Sequence, residues 1–122
     1  MIYPTYNGTS IDPATAFRRA EAAEIILIDI RRPDEWLATG TGRGAHLIDL
    51  RRPDFIETLS SLVNGDRTRP VALICAKGVR SARMANLLTR NDFTQVINVS
   101  EGMLGSSDGP GWIARGLPLA TP

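Results

Sequence analysis

The 122-residue chain carries 14 Lys and Arg against 13 Asp and Glu, a formal net charge of +1, and 43% of its residues are hydrophobic. That length fits one domain around one core, residues 1–122, and the near-neutral balance gives no basis for a nucleic-acid or anionic-membrane partner. One cysteine and one histidine exclude an internal disulfide and a cysteine-rich metal site, so no metal or cofactor is expected, and a Ser-His-Asp triad would have to use His46.

The opening stretch M-I-Y-P-T-Y-N-G lacks the basic and apolar regions of a signal peptide, and the longest apolar runs are far too short for a bilayer. A cytoplasmic setting without membrane contact is expected. Asp12-Pro13 is a helix start, because Asp caps and Pro suits the first helical position. Ala16, Phe17, Ala20 and Ala23 follow at helical spacing. Ile25–Ile30 (I-I-L-I-D-I) reads as a buried strand. Pro33 opens a short helix through Trp36, which Gly40 breaks; Gly40–Gly44 is expected to be a loop, and Ala45–Leu50 to hold a short strand.

Phe55, Ile56, Leu59, Leu62 and Val63 form one apolar helix face, opened at Pro53 and closed by Asn64-Gly65. Val71–Ile74 is the next strand, Val79–Arg90 the next helix and Val96–Val99 a further strand. Glu101–Gly111 is Gly- and Ser-rich and reads as a loop, rim or lid, before a last turn of helix at Trp112–Ala114. I-D-I-R-R-P-D at Ile28–Asp34 recurs as I-D-L-R-R-P-D at Ile48–Asp54; two copies make no solenoid, and both read as strand-to-helix junctions with Pro as helix start. Short apolar strands alternating with helices predict an α/β three-layer sandwich, its mostly parallel central sheet flanked by helices. Sites in such sheets lie beyond the carboxyl ends of the strands.

Cys75, the one cysteine, stands at such an end in C-A-K-G-V-R-S. In a strand–turn–helix, backbone N–H groups converge on an anion and the helix N-terminus adds positive potential. Lys77 and Arg80 add full charges, Gly78 permits a positive φ, and Ser81 offers a hydroxyl or a cap. Thiols in such surroundings ionise in the ~3.5–7.5 range instead of near ~8.5, and the thiolate is the nucleophile. A cysteine ending an apolar strand is otherwise a small core residue, but such a residue does not need these neighbours.

This loop resembles the active-site loop of the rhodanese-like sulfurtransferases, Cys-x-x-Gly-x-Arg-Ser. I-L-I-D-I-R-R-P-D-E-W resembles the family's strand ending in Asp-x-Arg, and T-G-x-x-x-G-A-H-L-I resembles its Gly-His-Ile-Pro-Gly-Ala turn. V-I-N-V-x-x-G with W-I-A-R-G-L-P-L resembles its C-terminal Gly-Gly…Trp…Gly-Leu-Pro-Val, so the blocks run in order over about residues 25–119. Thr41, Gly42 and Arg43 depart from the family's His-Ile-Pro, which predicts a reshaped turn; Ala76 replaces a polar contact, and the stretch from Met103 to Trp112 is longer than usual.

The resemblance implies a thiosulfate sulfurtransferase in which Cys75 carries a persulfide held by Ala76, Lys77, Gly78, Val79, Arg80 and Ser81. The donor is a small anionic sulfur compound. The acceptor is cyanide or an external thiol, since no second cysteine is present, and a protein persulfide is a further partner. Lys77 meets the donor. Arg80 either faces the pocket or, the preferred reading, pairs with a carboxylate behind the loop. Asp29 and Arg31 support the site, most simply as a structural ion pair. His46 is read as a partly exposed loop residue, and Trp36 and Trp112 as packing anchors. A non-catalytic binding or regulatory module that has kept the fold is one alternative. A cysteine phosphatase or arsenate reductase is another, but it needs five residues between Cys and Arg where this chain has four.

Overall fold

The computed structural model describes residues 5–122, so the first four residues of the opening stretch lie outside the described residues. In chain order the elements are β1 (Thr9–Ile11), α1 (Pro13–Glu21), β2 (Ile26–Asp29), α2 (Pro33–Thr39), β3 (Thr41–Gly42) and β4 (His46–Leu47). They continue with α3 (Phe55–Leu62), β5 (Val71–Ile74), α4 (Val79–Arg90), β6 (Val96–Val99), α5 (Gly111–Ala114) and β7 (Leu119–Ala120). The Asp12 side chain accepts the Thr15 N–H at 2.7 Å and Pro13 fills the first helical position, which is why α1 starts there. The runs I-L-I-D, V-A-L-I and V-I-N-V are buried at every residue and become β2, β5 and β6, the middle of the sheet.

The main sheet has the order β1-β6-β5-β2-β4, and every pairing in it is parallel. The central strands β2, β5 and β6 are buried on both faces, so each face needs a helical layer. On one side α3, its C-cap Val63 and α4 supply Phe55, Leu59, Val63, Met84, Ala85 and Leu88 to a core with Ile26, Ile28, Leu73 and Val96. On the other, Ala16 of α1 and Trp112 of α5 cover Leu27, Ala72, Ile74, Ile97 and Val99. This is the expected α/β sandwich. Its connectivity also locates a crevice: after β2 the chain moves outward to β4, whereas after β5 it moves the opposite way to β6. The switch point lies between β2 and β5, where open α/β sheets bind ligands.

Several local expectations are corrected. Gly40–Gly44 is not all loop, because Thr41–Gly42 pairs antiparallel with Leu119–Ala120, a strand that the sequence reading lacks. β1 is likewise absent from the sequence pattern; it exists because Thr9–Ile11 lies in register with Ile97–Val99. Within Ala45–Leu50 only His46–Leu47 is a strand. Ala23 lies past the end of α1 with φ 58° and is not a helical position. Pro33 does start α2, but α3 begins at Phe55, two residues beyond Pro53.

The repeated I-D-x-R-R-P-D nevertheless builds the same local device twice. Arg31 clasps Asp29 and Arg51 clasps Asp49, each through the side chain and through the arginine's own backbone N–H. Arg32 and Arg52 do the same with Asp34 and Asp54 through side chains alone. Burial separates the copies: Arg31 and Asp29 are 1% and 0% exposed, Arg51 and Asp49 60% and 14%.

Leu73, fully buried in β5, and Leu37, 76% exposed on α2, give a direct test of where the core sits. Leu73→Ala is expected to cost about 2–5 kcal/mol in urea unfolding, and Leu37→Ala to stay within about 0.5 kcal/mol of the parent.

Candidate active site

β5 ends at Ile74, and Cys75 is the next residue, at the switch point. The Ile30 N–H donates to the Ile74 carbonyl at 3.1 Å, so the chain leaving β2 runs beside it. On the other flank the chain leaving β6 takes both carbonyls of the turn: the Met103 N–H donates to Cys75 and the Leu104 N–H to Ala76, each at 2.9 Å. A trans peptide points its N–H opposite to its C=O. With those two carbonyls turned toward Met103 and Leu104, the N–H groups of Ala76 and Lys77 point the other way. The backbone N–H groups from Ala76 to Arg80 donate to no acceptor among the described residues.

Two glycines make this approach feasible. Gly78 has φ 85°, and a Cβ there would stand 2.2 Å from the Ser100 carbonyl oxygen. Gly102 has φ 71°, and its Cβ would stand 2.3 Å from the Ala76 carbonyl oxygen. Each connection therefore depends on a glycine at the point where the other crosses it.

The Cys75 side chain is 1% exposed. Its Sγ lies 3.3 Å from Ser81 Oγ and accepts the Ser81 N–H at 3.4 Å. Ser81 is fully buried beneath the sulfur, inside the first turn of α4. Above it is an open depression of ≈590 Å³ lined by Cys75, Ala76, Lys77, Val79, Arg80, Ser106 and Ser107. Of the residues singled out in the sequence, Gly78 does not line this depression but faces a neighbouring polar hollow, and Ser81 is its foundation. Lys77 is exposed at the rim, with no carboxylate partner among the described residues.

Arg80 is committed elsewhere. Its guanidinium makes two parallel hydrogen bonds to Glu35, at 2.7 and 2.8 Å, joining α4 to the first turn of α2. The Arg80 hydrogen bonds, the largest cause, hold the Glu35 carboxyl at about 2. Sequence reasoning missed Glu35. Its signal, an acidic residue after Pro33 in P-D-E-W, marks a helix start equally well and does not disclose a partner 45 positions away. Asp29 and Arg31 form a buried ion pair that does not line the depression; Arg31 also donates to Thr39 and to the Gly40 carbonyl.

The remaining candidates lie apart from the sulfur. His46 is exposed, but it stands on β4 and not in a loop. Trp112 is buried and donates its indole N–H to the Pro118 carbonyl at 3.0 Å; Trp36 is half-buried. The long Glu101–Gly111 connection is pinned at both ends. Buried Glu101 accepts the Gly111 N–H at 2.9 Å and both arms of Arg115, which hold its carboxyl below the usual range. Ser106 Oγ donates to the Ser100 carbonyl at 3.0 Å. Through Ser106 and Ser107 this segment forms part of the rim of the depression.

With this geometry in view, the relatives become informative. The Rhodanese-like domain family matches residues 12–107, and the chain belongs to that family. A protein named Sulfurtransferase from Allochromatium vinosum is 27% identical over 110 residues, covering 86% of this chain and 87% of its own. The polysulfide-sulfur transferase homodimer of Wolinella succinogenes has a solution structure that superposes with a TM-score of 0.70 at 28% identity, covering 93% of this chain and 78% of that one. Rv0390 from M. tuberculosis superposes with a TM-score of 0.71 at 26% identity, over 97% and 100% of the two chains.

The Arg80–Glu35 clamp has a pH signature. A carboxyl lowered from 4.5 to about 2 contributes stability that is complete above pH 4.5 and lost as the pH falls to about 2. Glu35→Gln is therefore expected to be less stable than the parent at pH 7. The gap should narrow below pH 4.5 and close near pH 2 in thermal unfolding followed across that range.

Proposed function

We propose that the protein is a sulfurtransferase that moves a sulfane sulfur from a small anionic donor of the thiosulfate type to a thiol or cyanide through a persulfide on Cys75. The observation that carries this reading is the sulfur itself: the single cysteine, braced by Ser81, under a depression rimmed by free backbone N–H groups and an unpaired lysine. The cysteine thiolate attacks the outer sulfur of the donor. A new S–S bond forms at Cys75, the donor's S–S bond breaks, and sulfite departs with the electron pair. The added sulfur stands about 2 Å beyond Sγ, which brings it out of the buried position and toward the depression.

The persulfide ends in an anionic sulfur, and the N–H groups of Ala76 to Arg80 are the donors available to hold it, as oxyanion holes hold oxygen. Lys77 attracts the incoming donor. An acceptor thiolate or cyanide then attacks the outer sulfur, and the pair returns to Cys75. Two half-reactions on one covalent carrier give ping-pong kinetics. A cytoplasmic setting, where thiols stay reduced, suits such an acceptor.

Phosphate-ester chemistry is disfavoured by two features. Four residues separate Cys75 from Arg80, a short wrap for a tetrahedral oxyanion. The Arg80 guanidinium, which would have to grip that oxyanion, is already held by Glu35.

Intact mass after incubation with thiosulfate should rise by one sulfur in the parent and fall back on adding cyanide, while Cys75→Ser takes up none. Uptake by Cys75→Ser would sink the mechanism, and a parent inert to thiosulfate and to polysulfide alike would favour a binding module. Lys77→Ala is expected to raise KM for thiosulfate about tenfold while kcat changes about twofold or less. An unchanged KM in steady-state assays would remove Lys77 from donor capture.

A further inference from the structure

One surface feature remains unassigned by this chemistry. Along the outer side of α4, Arg80, Arg83, Leu87 and Arg90 follow one another at i, i+3, i+7 and i+10, the spacing of a single helix face. Together with Leu50 from the connection after β4 and with Met84 at their base, they line a groove of ≈290 Å³. Its floor is apolar: Met84 is 9% exposed, and Leu87, 37% exposed, is among the few large apolar side chains left open to solvent. No carboxylate lines it.

The arginines are the informative part. Eight of the chain's arginines, Arg19, Arg31, Arg32, Arg43, Arg51, Arg52, Arg80 and Arg115, hold carboxylates, while Arg18, Arg67 and Arg69 lie away from this groove without one among the described residues. Arg83 and Arg90 are exposed and pair with no carboxylate among the described residues. They stand seven residues apart, about 10 Å along the helix, on either side of Leu87. Arg80 lines both this groove and the depression over Cys75, so the two are neighbours with a side chain in common.

We propose that this groove docks an acidic helical segment of a protein acceptor, with two carboxylates about two turns apart flanking an apolar side chain. The carboxylates complement Arg83 and Arg90, and the apolar residue fills the space over Met84, Leu87 and Leu50. This inference rests on the sulfurtransferase reading, because the docked protein is the acceptor of the second half-reaction. Its cysteine thiolate attacks the outer sulfur of the Cys75 persulfide. The Cys75–sulfur bond breaks, a persulfide forms on the partner, and the electron pair returns to Cys75 with no oxidant consumed. The chain has no second cysteine to pass the sulfur onward, so the acceptor has to come to this mouth.

The test uses the full chain and a fluorescent helix-forming peptide with two glutamates seven positions apart, a leucine between them and one terminal cysteine. Binding is read by anisotropy on unloaded protein, so it does not depend on sulfur chemistry. The R83E/R90E variant is expected to bind about tenfold more weakly than the parent. A peptide with Gln for Glu should weaken similarly, and one with Lys for Glu should bind the variant better than the parent. R83Q/R90Q, with thermal unfolding of each variant, keeps the result readable if charge reversal disturbs folding. On persulfide-loaded protein the KM for the peptide thiol should rise by the same factor, while turnover with cyanide is unchanged.

Equal binding of the Glu and Gln peptides, or binding indifferent to both double variants, would overturn the proposal. Failure of the donor to load Cys75, seen in the mass before any peptide is added, would instead count against the sulfurtransferase reading. The anisotropy result would still decide the groove.

Discussion

The mouth of this protein depends on two hydrogen bonds that the cysteine turn accepts. By donating to the Cys75 and Ala76 carbonyls, the Met103 and Leu104 N–H groups fix the polarity of the turn. Carbonyl oxygens face the β6–α5 connection, and the opposed N–H groups face the open side. Were those carbonyls free to rotate, the same residues would present oxygens to an anion and repel it. The turn's positive character is thus set by a neighbouring segment as much as by Lys77. The neighbour is itself braced: Glu101, buried and bound to Arg115 and to the Gly111 N–H, fixes where Met103 and Leu104 lie. The reciprocal glycines at 78 and 102 set how closely the two turns approach.

A chain with nearly balanced charges can still carry strong local fields, and the arginines show how they are distributed. The motif R-R-P-D produces the same clasp at residues 31 and 51, with opposite consequences. At 29 and 31 the pair is buried, so both charges must be fully partnered; Thr39 and the Gly40 carbonyl take up further donors of Arg31. At 49 and 51 the arginine is solvated and the pair contributes little. Burial beside the switch point, and not the motif, makes the first copy structural. The Arg80–Glu35 fork applies the same pairing across elements. It fastens α4 to α2 and removes Arg80 from competition for whatever anion the turn holds.

Much of this was legible in the sequence because the informative features are local. Three short apolar runs, a capped helix at Asp12-Pro13 and the strand–Cys–Gly–helix turn each follow from a few adjacent residues. The bounds of β5, α4 and β6 fall where their patterns predict. The elements that escaped are defined by partners. β1 has the unremarkable sequence T-S-I and is a strand only because β6 lies beside it. Thr41–Gly42 looks like a turn, and becomes β3 only when Leu119–Ala120 arrives from the end of the chain. Glu35 belongs to the same class, since an acidic residue in a first helical turn has a sufficient local explanation. The stretch G-S-S-D-G-P-G reads as a loop from composition, and composition does not disclose that Glu101 and Ser106 hold it through contacts six to ten residues apart.

Loop length and arginine placement together limit what the turn can hold. A tetrahedral oxyanion presents several charged oxygens and needs donors on more than one side, with a guanidinium to match two of them. Here the turn is short, its arginine is forked onto Glu35, and the residue directly beneath the cysteine is a buried serine with one hydroxyl and one N–H. Such a site has donors for a single compact anion next to Sγ and lacks a free planar donor for a larger one. Of the cations at the turn and along α4, those without a carboxylate among the described residues lie outward: Lys77 is at the rim and Arg83 and Arg90 are along α4. Positive charge therefore acts on what approaches, while neutral N–H groups act on what is bound. In the proposed persulfide cycle that separation suits release of the sulfur, because a full charge fixed beside it would stabilise the loaded state and slow the second transfer.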